Sequence, residues 1–155
     1  MKSACTIALL FLCAVSQHVY ATENLKLNPH LDYDSDSPDG PLITGDNQEA
    51  GMAKGRTNYI IMFERGCLNS KRQARRTVSL YDKYKPRVNF VVIDLNKTLS
   101  KAQRNLVEKY FTGHIPHVVI LDPKGKVLYN RSGEQSEEML SAIIDKALDD
   151  RSAIH

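Results

Sequence analysis

Cys67 is the residue of this 155-residue chain whose type and position best suit covalent chemistry. It follows the apolar run 59–63 after a link of three residues, and a polar, basic, helix-compatible stretch begins directly after it. Unpaired amides and the macrodipole at the start of a helix favour negative charge, so they favour the nucleophilic thiolate form of a cysteine there. The position predicts a reactive thiol, and the competing interpretation is a small buried apolar residue or an inherited relic.

Four basic residues crowd the stretch after Cys67 and carry positive charge that could support a thiolate. Lys71 and Arg72 lie within one turn of the expected helix start and are the first candidates for this role, ahead of Arg75 and Arg76. The competing interpretation is that all four form a solvated helix face.

Residues 1–21 have the organisation of a signal peptide. Lys2 supplies a positive charge, residues 4–15 are apolar, and residues 19–21 fit a cleavage site. The apolar run is shorter than the about 20 residues that a membrane-spanning helix needs. An uncleaved anchor and a lipid-modified Cys13 are the alternatives. The prediction is an exported protein, periplasmic or secreted, with no stable membrane span after cleavage.

Cleavage would leave Cys67 as the only thiol, because Cys5 and Cys13 lie in the removed segment. No intramolecular disulfide could then form, although exported proteins usually pair their cysteines. Removal of 21 residues from 155 leaves 134, enough for one domain with a hydrophobic core. The formal net charge of +3 falls to +2 with the loss of Lys2, which gives no reason to expect a nucleic-acid partner.

The chain before residue 47 lacks a sustained apolar period, and prolines and aspartates interrupt it. Such a segment buries too little apolar surface to offset the entropy of ordering, so residues 22–46 are predicted to be a flexible arm. A short strand over 42–44 is the alternative. Residues 47–54 are predicted to form a short helix that ends at Gly55.

Apolar runs alternate with amphipathic stretches from residue 58 onward. Pro86 and Gly113 mark helix ends, and Ser136 is a plausible N-cap. This order predicts a mixed sheet with helices on both faces. The expected elements are strand 59–63, helix 70–84, strand 88–95, helix 100–111, strand 117–122, strand 126–130 and a last helix after Ser136.

Three stretches of this pattern resemble thioredoxins. Residues 88–94 resemble the central strand of that family, residues 114–116 resemble the segment with its cis-proline, and residues 123–127 resemble its hairpin. The resemblance implies an α/β fold, a thioredoxin-like three-layer α/β/α sandwich with a mixed central sheet. The domain would span residues 47–150, with a tail at 151–155.

The resemblance also implies roles for individual residues. Cys67 takes the place of the nucleophilic cysteine, Pro116 would be cis and face it, and Ile115 would present backbone groups to an extended substrate. Gly66 replaces the usual tryptophan of the family. Together with Ile115 and Pro116, it is expected to bind the substrate. Ser70 replaces the resolving cysteine, which makes the motif Cys-x-x-Ser.

Two histidines flank the proline and could approach the thiol. His114 is therefore a third candidate to stabilise the thiolate or to accept a proton. Cys67, His114 and His117 together would be a zinc-capable set, but no fourth ligand is evident, so no metal is predicted. No cofactor is predicted either.

A single thiol permits less chemistry than the family's pair, because the Ser70 hydroxyl cannot attack a mixed disulfide. The prediction is an exported thioredoxin-fold protein that performs single-cysteine thiol–disulfide exchange or isomerisation through Cys67. Whether it is an enzyme is left open. The alternative is a non-catalytic module that binds a peptide or protein beside Pro116. The expected partner is a cysteine-containing protein or a small thiol, and the expected state is a monomer.

Overall fold

The computed structural model describes residues 21–38 and 40–152. The signal-peptide prediction falls almost wholly outside these residues, as does most of the predicted tail. The elements in chain order are β1 (Glu23–Leu27), β2 (Ile43–Asp46), β3 (Thr57–Phe63), α1 (Leu68–Tyr84), β4 (Val88–Asp94), α2 (Lys101–Tyr110), β5 (His117–Leu121), β6 (Val127–Ser132) and α3 (Glu137–Ser152).

The central sheet has four strands in the order β4-β3-β5-β6. Strand β3 pairs with β4 in parallel and with β5 antiparallel, so the sheet is mixed. Every residue of β3, β4 and β5 is buried, which is typical of strands with helices on both faces. Alternate residues of β3 point to opposite cores: Ile61 packs with α1 and α3, and Ile60 packs with α2. The predicted three-layer α/β/α sandwich is confirmed.

Helix α1 is buried on more of its surface than its apolar residues predict. The apolar residues Ala74, Leu80 and Tyr81 are buried, and the polar residues Lys71 and Thr77 are fully buried too. Thr77 shares a 2.9 Å hydrogen bond with the hydroxyl of Tyr59, and complete burial raises the pKa of Tyr59 to about 12. The helix lies between the sheet and the N-terminal segment. Its single apolar stripe therefore predicts less burial than the structure shows.

The N-terminal segment forms an ordered part of the core, which corrects the prediction of a flexible arm over 22–46. Strands β1 and β2 pair antiparallel. The segment buries four apolar side chains in the core cluster that also contains residues of α1, and the backbone amide of Asn24 donates to the hydroxyl of Tyr81 at 2.8 Å. These apolar residues are too scattered to give a local period, and only tertiary packing collects them. They are Leu25, Tyr33, Leu42 and Ile43.

The short helix predicted over 47–54 is also wrong, because this stretch is a turn followed by irregular backbone. Asn47 adopts a positive φ of 51° and accepts a hydrogen bond from the amide of Ala50. Buried amide side chains then bind the backbone that follows: Asn58 contacts both backbone groups of Ala53, and Asn89 donates to the carbonyl of Gly51. These bonds replace those of a helix.

The later elements agree with the sequence within one or two residues at most ends. Ser100 caps α2 with a closed capping box, and the hydroxyl of Ser136 accepts from the amide of Met139 at the start of α3. Across residues 21–38 and 40–152, no helix is both long and apolar enough to span a membrane.

Candidate active site at the start of helix α1

Cys67 is the N-cap residue of α1, with extended backbone angles of φ −89° and ψ 122°. Its carbonyl accepts the first helical hydrogen bond, from the amide of Lys71 at 3.0 Å, while its side chain makes no capping bond. Within the described residues it is a free cysteine, and it is half-buried. A partly open thiol at this position differs from the buried apolar residue of the competing interpretation.

The link between β3 and Cys67 is fixed by polar contacts. The guanidinium of Arg65 forms a 2.8 Å ion pair with the buried carboxylate of Asp94, which ends the neighbouring strand β4. The backbone amide of Arg65 also donates to the side chain of Asn96. These bonds hold the link against the carboxyl end of the parallel strand pair, so Cys67 sits on a fixed connection.

Pro116 lies at the same end of the central sheet as Cys67. The antiparallel register pairs Met62 of β3 with His117 of β5, so the end of β3 lies beside the residue that precedes β5. The Ile115–Pro116 peptide bond is cis. Pro116 is buried and its carbonyl accepts from the amide of Gly133 at 2.7 Å, while Ile115 is half-buried.

Ser70 stands one turn into α1 and is fully buried. Its hydroxyl oxygen has no hydrogen-bond partner among the described residues. A buried, unpartnered polar atom costs about 1–3 kcal/mol. No hydrogen bond within the described residues therefore explains a hydroxyl at this position.

The N-terminal segment reaches the site, a contact that the sequence did not predict. The carboxylate of Asp36 accepts a 2.6 Å hydrogen bond from the amide of Leu68, the first residue of α1. Next to it, a Cβ on Gly66 would lie in ordinary contact with Pro38 and Ser37, at 3.8 and 3.9 Å. We call residues 32–38 the arm loop, and it borders the Cys67 side of the helix start.

Lys71 binds this arm loop. Its ammonium donates to the carbonyl of Asp32 at 2.5 Å and to the hydroxyl of Ser37 at 2.9 Å, and the whole residue is buried. The sequence proposed Lys71 as a support for the thiolate, whereas these contacts give it a clear role in holding the arm loop to α1.

The three arginines of α1 also pair with carboxylates. Arg72 lies 3.6 Å from a carboxylate oxygen of Glu134, and Arg76 lies 2.6 Å from the other. Arg75 pairs with Asp34 of the arm loop at 3.1 Å. The sequence held a signal for these contacts, because aspartates at alternate positions upstream complement the basic residues of α1.

The two histidines near Pro116 differ in environment. His114 is exposed. His117 is fully buried, and its two ring nitrogens lie 2.8 Å from the hydroxyl of Ser132 and 2.5 Å from the side-chain oxygen of Asn130. Both ring nitrogens of His117 are thus engaged with side chains of β6, whereas the side chain of His114 is open to solvent.

Solved structures that are similar to this fold include a thioredoxin. A thioredoxin-2 of the malaria parasite, described as a component of its protein secretion machinery, is 22% identical with a TM-score of 0.51 over 63% of this chain and 87% of its own. A malarial protein is 22% identical with a TM-score of 0.50 over 60% of this chain and 98% of its own. Neither a protein-family model nor a curated protein matches the sequence. The chain therefore has a thioredoxin-like fold.

Proposed function

We propose that this protein performs thiol–disulfide exchange or isomerisation through Cys67 alone, after export. The observation that carries the proposal is the position of Cys67, half-buried at the N-cap of a 17-residue helix and making no capping bond of its own. Such a helix start supplies oriented amides and a partial positive charge, both of which favour a thiolate.

The chemistry takes two exchange steps. The thiolate of Cys67 attacks one sulfur of a substrate disulfide, so a new S–S bond joins Cys67 to the substrate as the old bond breaks. The departing sulfur leaves as a thiolate and takes up a proton from water. A second thiol then attacks the substrate sulfur of the mixed disulfide and returns Cys67 as a thiolate.

The second thiol comes from outside the domain, because Ser70 offers only a buried hydroxyl. If it is another cysteine of the substrate, the result is a rearranged disulfide with no net oxidation. If it is a small thiol, that thiol ends in a disulfide with the substrate. A cysteine-containing protein and a small thiol are therefore the proposed partners.

The proposed substrate segment lies beside Ile115 and Pro116. These residues lie at the end of the sheet from which the chain leads to Cys67. The half-buried Ile115 stands two residues before His117, the first paired residue of β5. Gly66, the residue that directly precedes Cys67, borders the arm loop. An extended segment between these two boundaries would bring a disulfide to the sulfur of Cys67.

Export fits this chemistry, because disulfide-bonded substrates persist in oxidising compartments such as the periplasm or the extracellular space. In such a compartment a thiol without an internal partner stays reactive only while small thiols or substrate cysteines regenerate it.

The test is capture of the mixed disulfide. The folded protein is incubated with an excess of a disulfide-bonded peptide, quenched with acid and analysed by intact mass and peptide mapping. We expect one peptide adduct on Cys67, and none in Cys67→Ser. If the folded protein forms no adduct while the urea-unfolded protein does, the proposal is wrong and a non-catalytic module that binds peptides or proteins is the better account.

A further inference from the structure

The arm loop places a carboxylate where the proposed reaction needs positive potential. Asp36 is exposed, and its side-chain oxygen lies 2.6 Å from the amide nitrogen of Leu68, directly after Cys67. This amide belongs to the peptide bond that joins Leu68 to Cys67, the residue that carries the thiol. Two negative groups, the carboxylate and the thiolate, therefore compete for the same end of α1.

The contact belongs to a loop that is anchored at several points. Lys71 holds the backbone at Asp32 and the side chain of Ser37, and Arg75 pairs with Asp34 and lies 5.3 Å from the ring centre of Tyr33. Three of these four loop residues bind a basic side chain of α1 through a polar atom. The carboxylate of Asp36 instead meets a backbone amide at the helix start.

We propose that Asp36 is a positioning residue that lowers the reactivity of Cys67, and that the arm loop is a built-in restraint on the site. This inference rests on the proposed function. By accepting from the amide of Leu68, Asp36 uses one of the unpaired donors of the helix start, and its charge opposes a second anion there. A substrate or partner that displaces the arm loop would relieve both effects at once.

The loop also affects which substrates can approach the thiol. It borders Gly66, the residue that directly precedes Cys67. An anionic segment that approaches the thiol would also be repelled by Asp36, so neutral or basic sequences around the target disulfide are favoured.

The test compares Asp36→Asn with Asp34→Asn. Asparagine keeps an oxygen that can accept from Leu68 and removes the charge. Asp34→Asn makes the same change in charge two residues away, where the carboxylate faces Arg75. Each folded variant is alkylated with neutral iodoacetamide and, separately, with anionic iodoacetate, and circular dichroism checks that both variants remain folded.

We expect Asp36→Asn to raise the iodoacetamide rate about two- to fivefold, the size of a charge effect at a helix terminus. The iodoacetate rate should rise further, because the carboxylate also repels that probe. Asp34→Asn should change both rates by less than about twofold, as expected of an exposed ion pair. Equal rates in the wild type and Asp36→Asn, or an equal rise in both variants, would overturn the inference.

Failure of the proposed function would look different. The peptide adduct of Cys67 is measured on the same samples. If adducts form equally fast in the wild type and Asp36→Asn, the proposed function stands and the restraint by Asp36 is wrong. If Asp36→Asn speeds alkylation but neither protein forms an adduct, Asp36 does restrain the thiol and the exchange function is wrong.

Discussion

Helices α1 and α2 follow the carboxyl ends of the parallel strands β3 and β4, but the first turns of the two helices are capped in different ways. Helix α2 closes its own start: the hydroxyl of Ser100 accepts from the amide of Gln103 at 3.2 Å, and the side chain of Gln103 accepts from the amide of Ser100 at 3.1 Å. Helix α1 starts at Cys67 without a side-chain cap and takes an acceptor from Asp36, 32 residues upstream of Leu68.

The difference separates a structural helix start from one that is suited to chemistry. Serine, threonine, aspartate and asparagine at an N-cap stabilise a helix by about 1 kcal/mol relative to residues that cannot cap. A cysteine at position 67 forgoes that gain and leaves a half-buried thiol in its place. The capping need of α1 is met partly from the arm loop, so the arm and the site are linked.

The largest effect should come from breaking the anchor of the arm loop on α1. Lys71→Met removes the buried ammonium and leaves the Asp32 carbonyl and the Ser37 hydroxyl without this donor. We expect the free energy of unfolding to fall by about 3 kcal/mol, measured by urea denaturation. The matched control is Lys83→Met on the same helix, where the side chain is 53% exposed and the change should stay within about 0.5 kcal/mol. Equal effects would mean that Lys71 does not anchor the arm.

The two helix starts should respond in opposite ways to a change of their N-cap residue. Ser100→Ala opens the capping box and should lower the free energy of unfolding by about 1 kcal/mol. Cys67→Ser puts a capping side chain at α1 and should leave stability unchanged or raise it by up to about 1 kcal/mol. Urea denaturation of both variants measures the contrast. A loss at Cys67→Ser as large as that at Ser100→Ala would show that Cys67 is a packing residue.

A smaller effect should appear at alkaline pH through the arm. Burial raises the pKa of Tyr33 above its ordinary value of 10.0, although the amide of Asn28 and the charge of Arg75 lower it. The neutral phenol, which donates to the carbonyl of Leu42, therefore stabilises the folded state fully below pH 10. This contribution is lost as the pH rises through the folded-state pKa.

Tyr33→Phe tests that dependence. The variant should be less stable than the wild type at pH 7, because it lacks the hydrogen bond to Leu42, and the difference should shrink above pH 10. Urea midpoints at pH 7, 9 and 11 provide the comparison. A difference that stays constant across this range would contradict a role for the ionisation of Tyr33.

The sequence predicted the sandwich well because its strands and helices carry their own periodic signals. The strand at 88–94 is apolar and bounded by turn signals, and Ser100 and Ser136 mark helix starts with local capping chemistry. Such signals need no knowledge of the partner element. The same reasoning located Cys67 at a helix start, where the structure places it.

The arm and its contacts could not be predicted in this way. Leu25, Tyr33 and Leu42 lie eight or nine positions apart, so no local pattern predicts that they are buried in one core cluster. The burial of Lys71 depends on the same docking, because the arm covers the side of α1 that a single apolar face would leave to solvent. The opposite charges of the arm and α1 indicate in the sequence that the two segments could interact, but they do not specify which residues form pairs.

The central claim is that Cys67 exchanges disulfides and cannot release its product without an outside thiol. The most direct test is the lifetime of the mixed disulfide between Cys67 and a peptide that carries a single cysteine. The adduct is trapped in acid in the wild type and in Ser70→Cys, and intact mass follows its decay after the return to neutral pH. The account predicts that the wild-type adduct persists until a small thiol is added. In Ser70→Cys the peptide should leave spontaneously as an internal disulfide forms between the two cysteines. A wild-type adduct that decays unaided as fast as that of Ser70→Cys would contradict the account.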